Sequence, residues 1–468
     1  MRRLLKILSL IGIVLLTGPR PAMIRADAER PNHTPGDVVC RVLPGSTIEE
    51  INQTYGTAVK GHLPVTDVYL LMIPQGQNPD TIAARIDADA RVDFCRPNYY
   101  LAAPEGFQRS SPFVDAELIG TFEDQPAAVT LDLATAALVS TGAGARIALI
   151  DGGVAANHPV FASFPGDLVS RWDYLEEDSV AQADTAGSCA AHGTFVAAVL
   201  QLVAPGADVY VYKVLDTAGQ GNAYAIAAAI LQAIDDGCDV INLSLGMTRV
   251  DESLDDALRT ARQSGVSVVA SAGNDSTNLA SLFPFPASRS NVIAVAALDS
   301  VNVKADFSNY GVRIDVCCPG TRVYSAYADT LFAWWDGTSF AAPMAAGVIA
   351  CLRSRHPGLT PERIDTILAR SSHNVDSLNP GLEAQLGAGL IDPPAALALA
   401  GQITRGDVTL DGRVDINDLT ALVNYLFRGA TLDVLADADV SCDSAVNIAD
   451  LTLLVKYLFL GAAMPCGA

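Results

Sequence analysis

Between Ala128 and Gly401 short apolar runs alternate with helix-like stretches, and this alternation narrows the fold further than any other feature. "ARIALID" reads as a buried strand, followed by the helical "HGTFVAAVLQLV". "DVYVYKVLD" precedes the Ala-rich "NAYAIAAAILQAIDDG", and "DVINLSLG" precedes "SLDDALRTARQSG". The runs "VSVVASAGN", "NVIAVAALD" and "RIDVCCPG" complete the series. Strands joined through helices lie parallel, and a parallel sheet is covered on both faces, which is why its strands read as nearly unbroken apolar runs. The predicted class is α/β, a mostly parallel sheet with helices on both faces. Functional groups of such sheets gather at the carboxyl ends of the strands. Asp151 ends one run, and Ser244 and Asn274 lie at the ends of two others.

Other segments flank this one. Residues 1–28 carry a basic start, about a dozen apolar residues from Ile7, and the small-x-small site Ala26-Asp27-Ala28, the pattern of a secretory signal peptide. Its apolar run falls short of the ~20 residues a membrane span needs, and no other stretch is long and apolar enough to span. Residues 29–110 hold "DVVCRVLPG", "DVYLLMIPQG" and "ARVDFCRPNYYL", with helix-like stretches between them, a β-α-β-α-β order that predicts a small α+β domain. Residues 111–127 read as a linker, and the α/β segment is 128–401. The chain carries 30 basic against 52 acidic side chains, which excludes nucleic acid as the expected partner and suits an exported, soluble protein. Nine cysteines leave at least one unpaired; Cys40 and Cys95 fall in the first and last strand-like runs of residues 29–110, where they can pair. Cys351, mid-helix among alanines, reads as a small buried apolar residue.

Acyl transfer by a serine needs a base, a carboxylate to orient that base, and donors for the oxyanion. Of six histidines only His192, opening "HGTFVAAV", sits at the start of a helix where it can project into a cleft. His158 reads as a loop residue, and His356 as a helix end before Pro357. Asp151, at a strand end, is the candidate carboxylate; alone it would read equally well as a helix cap. In "DGTSFAAPMAAG" Ser339 lies at a helix N-terminus, where backbone N–H groups and the dipole favour an oxyanion, though an isolated serine there reads as an N-cap. Pro343 is read as a first-turn residue of that helix. Of Trp334 and Trp335, at least one is expected to pack beneath the turn.

The order Asp151, His192, Ser339 changes the weighting. Residues 128–401 resemble the subtilisin-like serine peptidases in "ALIDGGV", "HGTFVAAV", "GTSFAAPMAAG" and the closing "GAGLIDPPAAL". "VASAGND" is similar to the segment that supplies the oxyanion asparagine, here Asn274. "INLSLG" is similar to the substrate-binding strand, here Ser244, Leu245 and Gly246. The chain departs from the pattern at Gly152, where the family usually has Ser or Thr to hydrogen-bond the aspartate, and at Phe195, where many members have a second histidine. "VVCRVLPGSTIEEINQTYGTAV" and "RVDFCRPNYYLAAPEG" resemble the inhibitory propeptides of the family. The resemblance implies a self-processed zymogen cut between Tyr100 and Gln125, against the alternative of a permanent structural domain. Further calcium sites in the peptidase segment fit the family, with ligands the sequence does not assign.

Residues 404–468 contain an internal repeat. "GDVTLDGRVDINDLTALVNYLFRGA" returns as "ADVSCDSAVNIADLTLLVKYLFLGA", with a period of 32 residues from Asp407 to Asp439. Asp407, Thr409, Asp411, Asp415 and Asp418 take positions 1, 3, 5, 9 and 12 of an EF-hand-type Ca²⁺ loop, with Gly412 at 6. Asp439, Ser441, Asp443, Asn447 and Asp450 take the same positions in the second copy, where Ser444 replaces the glycine and a weaker site is expected. One apolar helix follows each loop, so this small all-α module resembles dockerins, which implies calcium binding and a cohesin-like protein partner. Cys442 and Cys466 bracket most of the second copy and can close it. The expected protein is a secreted serine endopeptidase acting on protein or peptide substrates, held near the cell surface through its C-terminal module. The rival from another class is a catalytically inactive peptidase fold that anchors the module.

Overall fold

The computed structural model describes residues 32–463 apart from 108–110, 116–121, 185, 283, 402–404, 410–412, 433–434 and 444. The signal-like segment 1–28, Asp411, Gly412, Ser444 and Cys466 therefore lie outside the described residues.

The N-terminal part contains strands β1 (His33–Val42), β2 (Ala58–Leu63), β3 (Val68–Met72) and β4 (Val92–Ala102), with helices Ile48–Tyr55 and Pro79–Asp87 on one face. Its order is β-α-β-β-α-β, one strand more than the sequence predicted. β2, "AVKGHL", is an exposed edge strand and lacks the apolar run that marks its neighbours. Strand order is β2-β3-β1-β4, antiparallel throughout, over a small core of its own that includes Val38, Ile51, Leu71, Ile82 and Ile86. Cys40 and Cys95 face each other across β1 and β4 and form a disulfide, as the sequence allowed.

β5 (Phe113–Asp115) lies within the expected linker. Gln125, at the linker's end, is already built into the following domain: its Nε2 donates to the Phe122 and Tyr324 carbonyls, and its Oε1 accepts from Tyr324 N.

The main domain is organised on seven parallel strands in the order β13-β12-β11-β10-β6-β8-β7. These are β6 (Arg146–Asp151), β7 (Leu168–Asp173), β8 (Asp208–Lys213), β10 (Val240–Leu243), β11 (Ser267–Ser271), β12 (Ile293–Leu298) and β13 (Val316–Pro319), with the short β9 (Gln220–Asn222) between β8 and β10. Central strands are buried on both faces, as their composition requires. β14 (Val323–Ala326) and β15 (Phe332–Trp335) form a hairpin to which β5 adds antiparallel.

Helix starts follow local chemistry. Asn222 and Asp251 cap Ala223–Asp235 and Glu252–Gln263 by accepting from Ala225 N and Leu254 N. The 18-residue helix Thr338–Arg355 crosses the core and is buried along nearly its whole length. Pro343 is its sixth residue, so the first-turn reading is corrected. A proline there removes the N–H that would bond the Ser339 carbonyl. The buried Ser244 hydroxyl fills the gap, donating to that carbonyl at 2.8 Å.

In the C-terminal module, helices Ile416–Arg428 and Ile448–Leu460 meet over Val408, Leu422, Ala438, Val440 and Leu454. The module leans on helix Pro361–Ser371: Arg363 pairs with the buried Asp437, and Arg370 Nη1 donates to Thr409 O at 2.8 Å. Cys442 is disulfide-bonded. No helix among the described residues is long and apolar enough to cross a membrane.

Candidate active site

Asp151 is the last residue of β6, at the carboxyl end of the sheet, and is fully buried. Its Oδ1 accepts from Gly152 N at 2.7 Å and faces His192 Nδ1 at 2.8 Å. Its Oδ2, also buried, has no hydrogen-bond partner among the described residues. A family hydroxyl at position 152 would answer that atom.

His192 opens helix His192–Val203 and is fully buried. The tight approach of this helix to the β6 end depends on Gly193, where a Cβ would lie 2.2 Å from Gly153 O. Burial pulls the imidazole pKa down. The Asp151 carboxylate, by charge and hydrogen bond, outweighs burial together with Glu105, and His192 is held well above an ordinary histidine. Beneath the ring lie Trp335, edge-on at 5.9 Å, and Phe340 at 5.7 Å. Phe195 packs on both, so the departure at 195 completes an aromatic bed for the base.

Ser339 is the second residue of its helix, beside backbone N–H groups that have no partner within the helix. Its hydroxyl donates to Glu105 Oε2 at 2.6 Å rather than to the imidazole. The same Oε2 stands 3.2 Å from His192 Nε2. Glu105 Oε1 accepts from Asn274 Nδ2 at 2.8 Å. Thus Ser339, His192 and Asn274, far apart in sequence, converge on one carboxylate, with Asp151 behind the histidine.

Asn274 is oriented from behind. Its Oδ1 accepts from Thr338 N at 3.0 Å and Thr338 Oγ1 at 2.8 Å, which leaves the NH₂ pointing into the site. Thr338 and Glu105 are the two residues that motif reading missed. Thr338 lay inside the quoted serine motif, and Glu105 in the "APEG" that begins a turn.

Of the three candidate substrate contacts, Gly246 exchanges both backbone hydrogen bonds with Ala102, at 3.0 and 2.9 Å. Leu245 is buried, and the Ser244 side chain turns inward to the serine helix. On its other edge the segment Tyr100–Ala102 pairs with β9, and Ala103 N donates to Gly219 O. The end of β4 therefore lies as a strand between two edges of the main domain and leads to the serine. His158 is buried, accepting from Val160 N and bonding Leu331 O, and plays no part here. Cys189 is a buried free thiol near the site, its pKa raised first by burial.

In the C-terminal module, carboxylate oxygens of Asp439, Asp443 and Asp450 come within 4.8 Å of one another. Three hard oxygen donors held this close suit Ca²⁺. Ser441 Oγ and Asp443 N both bond Asp439 Oδ1, and Asn447 caps the following helix. In the first copy Asp407 and Asp418 are buried, Asp415 caps the helix, and Thr409 bonds Asp418 through its N–H and hydroxyl.

Residues 142–389 match the Subtilase family and residues 405–459 the Dockerin type I domain. Thermitase of Thermoactinomyces vulgaris is 38% identical over 227 residues, covering 46% of this chain and 77% of thermitase. Subtilisin DY of Bacillus licheniformis is 35% identical over 257 residues, covering 54% of this chain and 91% of that protein. Among solved structures, fervidolysin of Fervidobacterium pennivorans, described as a keratinolytic enzyme related to subtilisin, superposes with a TM-score of 0.65 at 22% identity. That likeness covers 78% of this chain and 61% of fervidolysin, and it concerns the fold.

Proposed function

The chain belongs to the subtilase family, as a serine endopeptidase with a C-terminal dockerin type I domain, and from that premise we propose how its own residues carry the reaction. Ser339 Oγ attacks the peptide carbonyl. His192 Nε2 takes the proton and returns it to the leaving amine, while Asp151 fixes the imidazole tautomer and stabilises its charge. Asn274 Nδ2 and the Ser339 N–H receive the oxyanion. The observation that carries this reading is the 2.8 Å contact between Asp151 and His192, in a site where Ser339 and Asn274 aim donors at one small volume. Substrate main chain lies along Gly246, in the place that Ala102 takes here.

The proposal extends to the whole chain. Residues 1–28 direct export, residues 29–110 form a propeptide that covers the cleft, and residues 111–127 link it to the peptidase at 128–401. The dockerin module at 404–468 binds Ca²⁺ through the two aspartate-rich loops and docks a cohesin-like protein. Exposed Ile416 and Phe427 recur 32 residues on as exposed Ile448 and Phe459, and this repeated apolar surface supports a protein partner. The test compares the wild-type chain with Ser339→Ala. Casein hydrolysis and phosphonate labelling are expected in the first alone, with self-cleavage absent from the second. Equal hydrolysis by both would overturn the assignment.

A further inference from the structure

The group that occupies the reaction centre is a side-chain carboxylate from the chain's own N-terminal part. Glu105 Oε2 accepts from Ser339 Oγ at 2.6 Å and faces His192 Nε2 at 3.2 Å, and Oε1 accepts from Asn274 Nδ2 at 2.8 Å. The carboxylate is fully buried. A buried anion is costly unless charged and hydrogen-bonding partners surround it, and among the described residues its partners are Ser339, His192 and Asn274, the groups of the reaction itself.

Two further features fit the chain to this position. Gly106 N donates to Ala103 O at 2.9 Å as the chain enters the single helical turn Pro104–Phe107, which carries Glu105. Proline suits the first position of that helical turn, where its missing N–H would have had no partner within the helix. The turn lifts the main chain out of the extended path it has followed beside Gly246 as it nears Ser339, and presents the side chain of Glu105 in place of a peptide carbonyl. The main domain leaves room for it. A Cβ on Gly337 would lie 1.9 Å from Glu105 Oε1, and a Cβ on Gly106 would lie 2.9 Å from Ala218 O.

We propose that Glu105 is a carboxylate latch: it ligates Ser339, His192 and Asn274, keeps the serine from reacting while the chain is intact, and must leave before any peptide bond is cut. This rests on the peptidase reading above and adds to it the group that silences the centre. An anion draws on charge-assisted hydrogen bonds, stronger than those a neutral carbonyl receives. Being tethered, it competes with substrate at high effective concentration. Ser339 cannot give its proton to His192 while its hydroxyl bonds the carboxylate. No bond is made or broken in the latched state.

The test is the rate at which a serine-directed fluorophosphonate labels the intact full-length chain. Glu105→Ala is expected to label faster than wild type by about tenfold or more, with Glu105→Gln, which keeps the size without the charge, between them. Acetate is expected to slow labelling of Glu105→Ala and leave wild type unaffected, an effect a merely structural role would not produce. Should Glu105→Ala fail to fold by circular dichroism, Glu105→Gln carries the comparison alone. A variant that labels at the wild-type rate overturns the latch, and the labelling itself upholds the serine peptidase. If no form labels, including wild type nicked ahead of the main domain, the catalytic assignment falls and the latch falls with it.

Discussion

Both ends of the Asn274 amide are committed. The oxygen is held by two donors of Thr338 and the nitrogen faces the reaction centre, so the donor is set before substrate arrives. Asn274→Ala is expected to lower kcat by about 10²–10³-fold with little change in KM, a magnitude taken from the corresponding asparagine of subtilisin itself. Steady-state kinetics check it, and an unchanged kcat sinks the assignment. At Asp151 the unsatisfied Oδ2 leads to a gain rather than a loss. A Cβ at Gly152 would have its nearest neighbour at 3.7 Å, ordinary contact, so a serine fits and can donate to Oδ2. Gly152→Ser is expected to stabilise the fold by about 1–2 kcal/mol, read as a raised thermal midpoint with activity retained or increased. The adjacent Gly153 gives the contrast. Its φ is +82° and a Cβ would meet Gln182 O at 2.6 Å, so Gly153→Ser is expected to lower the midpoint.

Between elements, the Ser244 hydroxyl ties the serine helix to the end of β10. Pro343 deprives the Ser339 carbonyl of its helical partner and Ser244 Oγ replaces it. Ser244→Ala should cost about 1 kcal/mol or more, because it leaves that buried carbonyl unpaired, and should lower kcat by loosening the first turn that carries Ser339. Denaturant unfolding together with kcat decides it: a loss in neither would mean the carbonyl finds another donor. The same proline shows where sequence reading stops. Its presence near Ser339 was plain, but the helix start lies one residue before the serine, which places Pro343 past the first turn. The parallel strands were legible because burial on both faces writes them as apolar runs. β2, β7 and β9 were not, since "AVKGHL", "LVSRWD" and "QGN" are polar or short and owe their conformation to the strands beside them. Asp151, His192, Asn274 and Ser339 could be found because each sits in a local motif at a strand end or helix start. Glu105 carries no such motif, and its role exists only through partners as far as 234 residues away.

At the scale of the molecule, the buried contact between the N-terminal part and the peptidase carries a pH signature. His192 is raised above its ordinary 6.5 against burial, by Asp151 and then Glu105. A group raised on folding adds stability that is fully present below its unfolded value and lost as pH rises through the folded one. Full-length Ser339→Ala, which cannot process itself, is therefore expected to lose thermal stability as pH rises above about 6.5, with a shallower loss when Glu105→Gln is added. A slope unaltered by Glu105→Gln would show that this carboxylate does not charge His192. The C-terminal module responds to a different ligand. Its core of Val408, Leu422, Ala438, Val440 and Leu454 is small for a unit of this length, and the Asp439, Asp443 and Asp450 carboxylates repel one another where they converge. Ca²⁺ bound to the folded loops alone would add about 2.7 kcal/mol per site at a concentration 100 times Kd. The peptidase packs on a much larger apolar sheet-and-helix core. Calorimetry of Ser339→Ala is thus expected to show a module transition that falls by many degrees in EDTA while the peptidase transition moves less. Asp450→Ala, which removes the carboxylate bonding both Ser441 N and Asn447 N, should lower the module transition in calcium and reduce the bound ions from two to one. A module transition indifferent to EDTA would mean that the helix pair folds on its own apolar contacts and that the loops do not hold the metal.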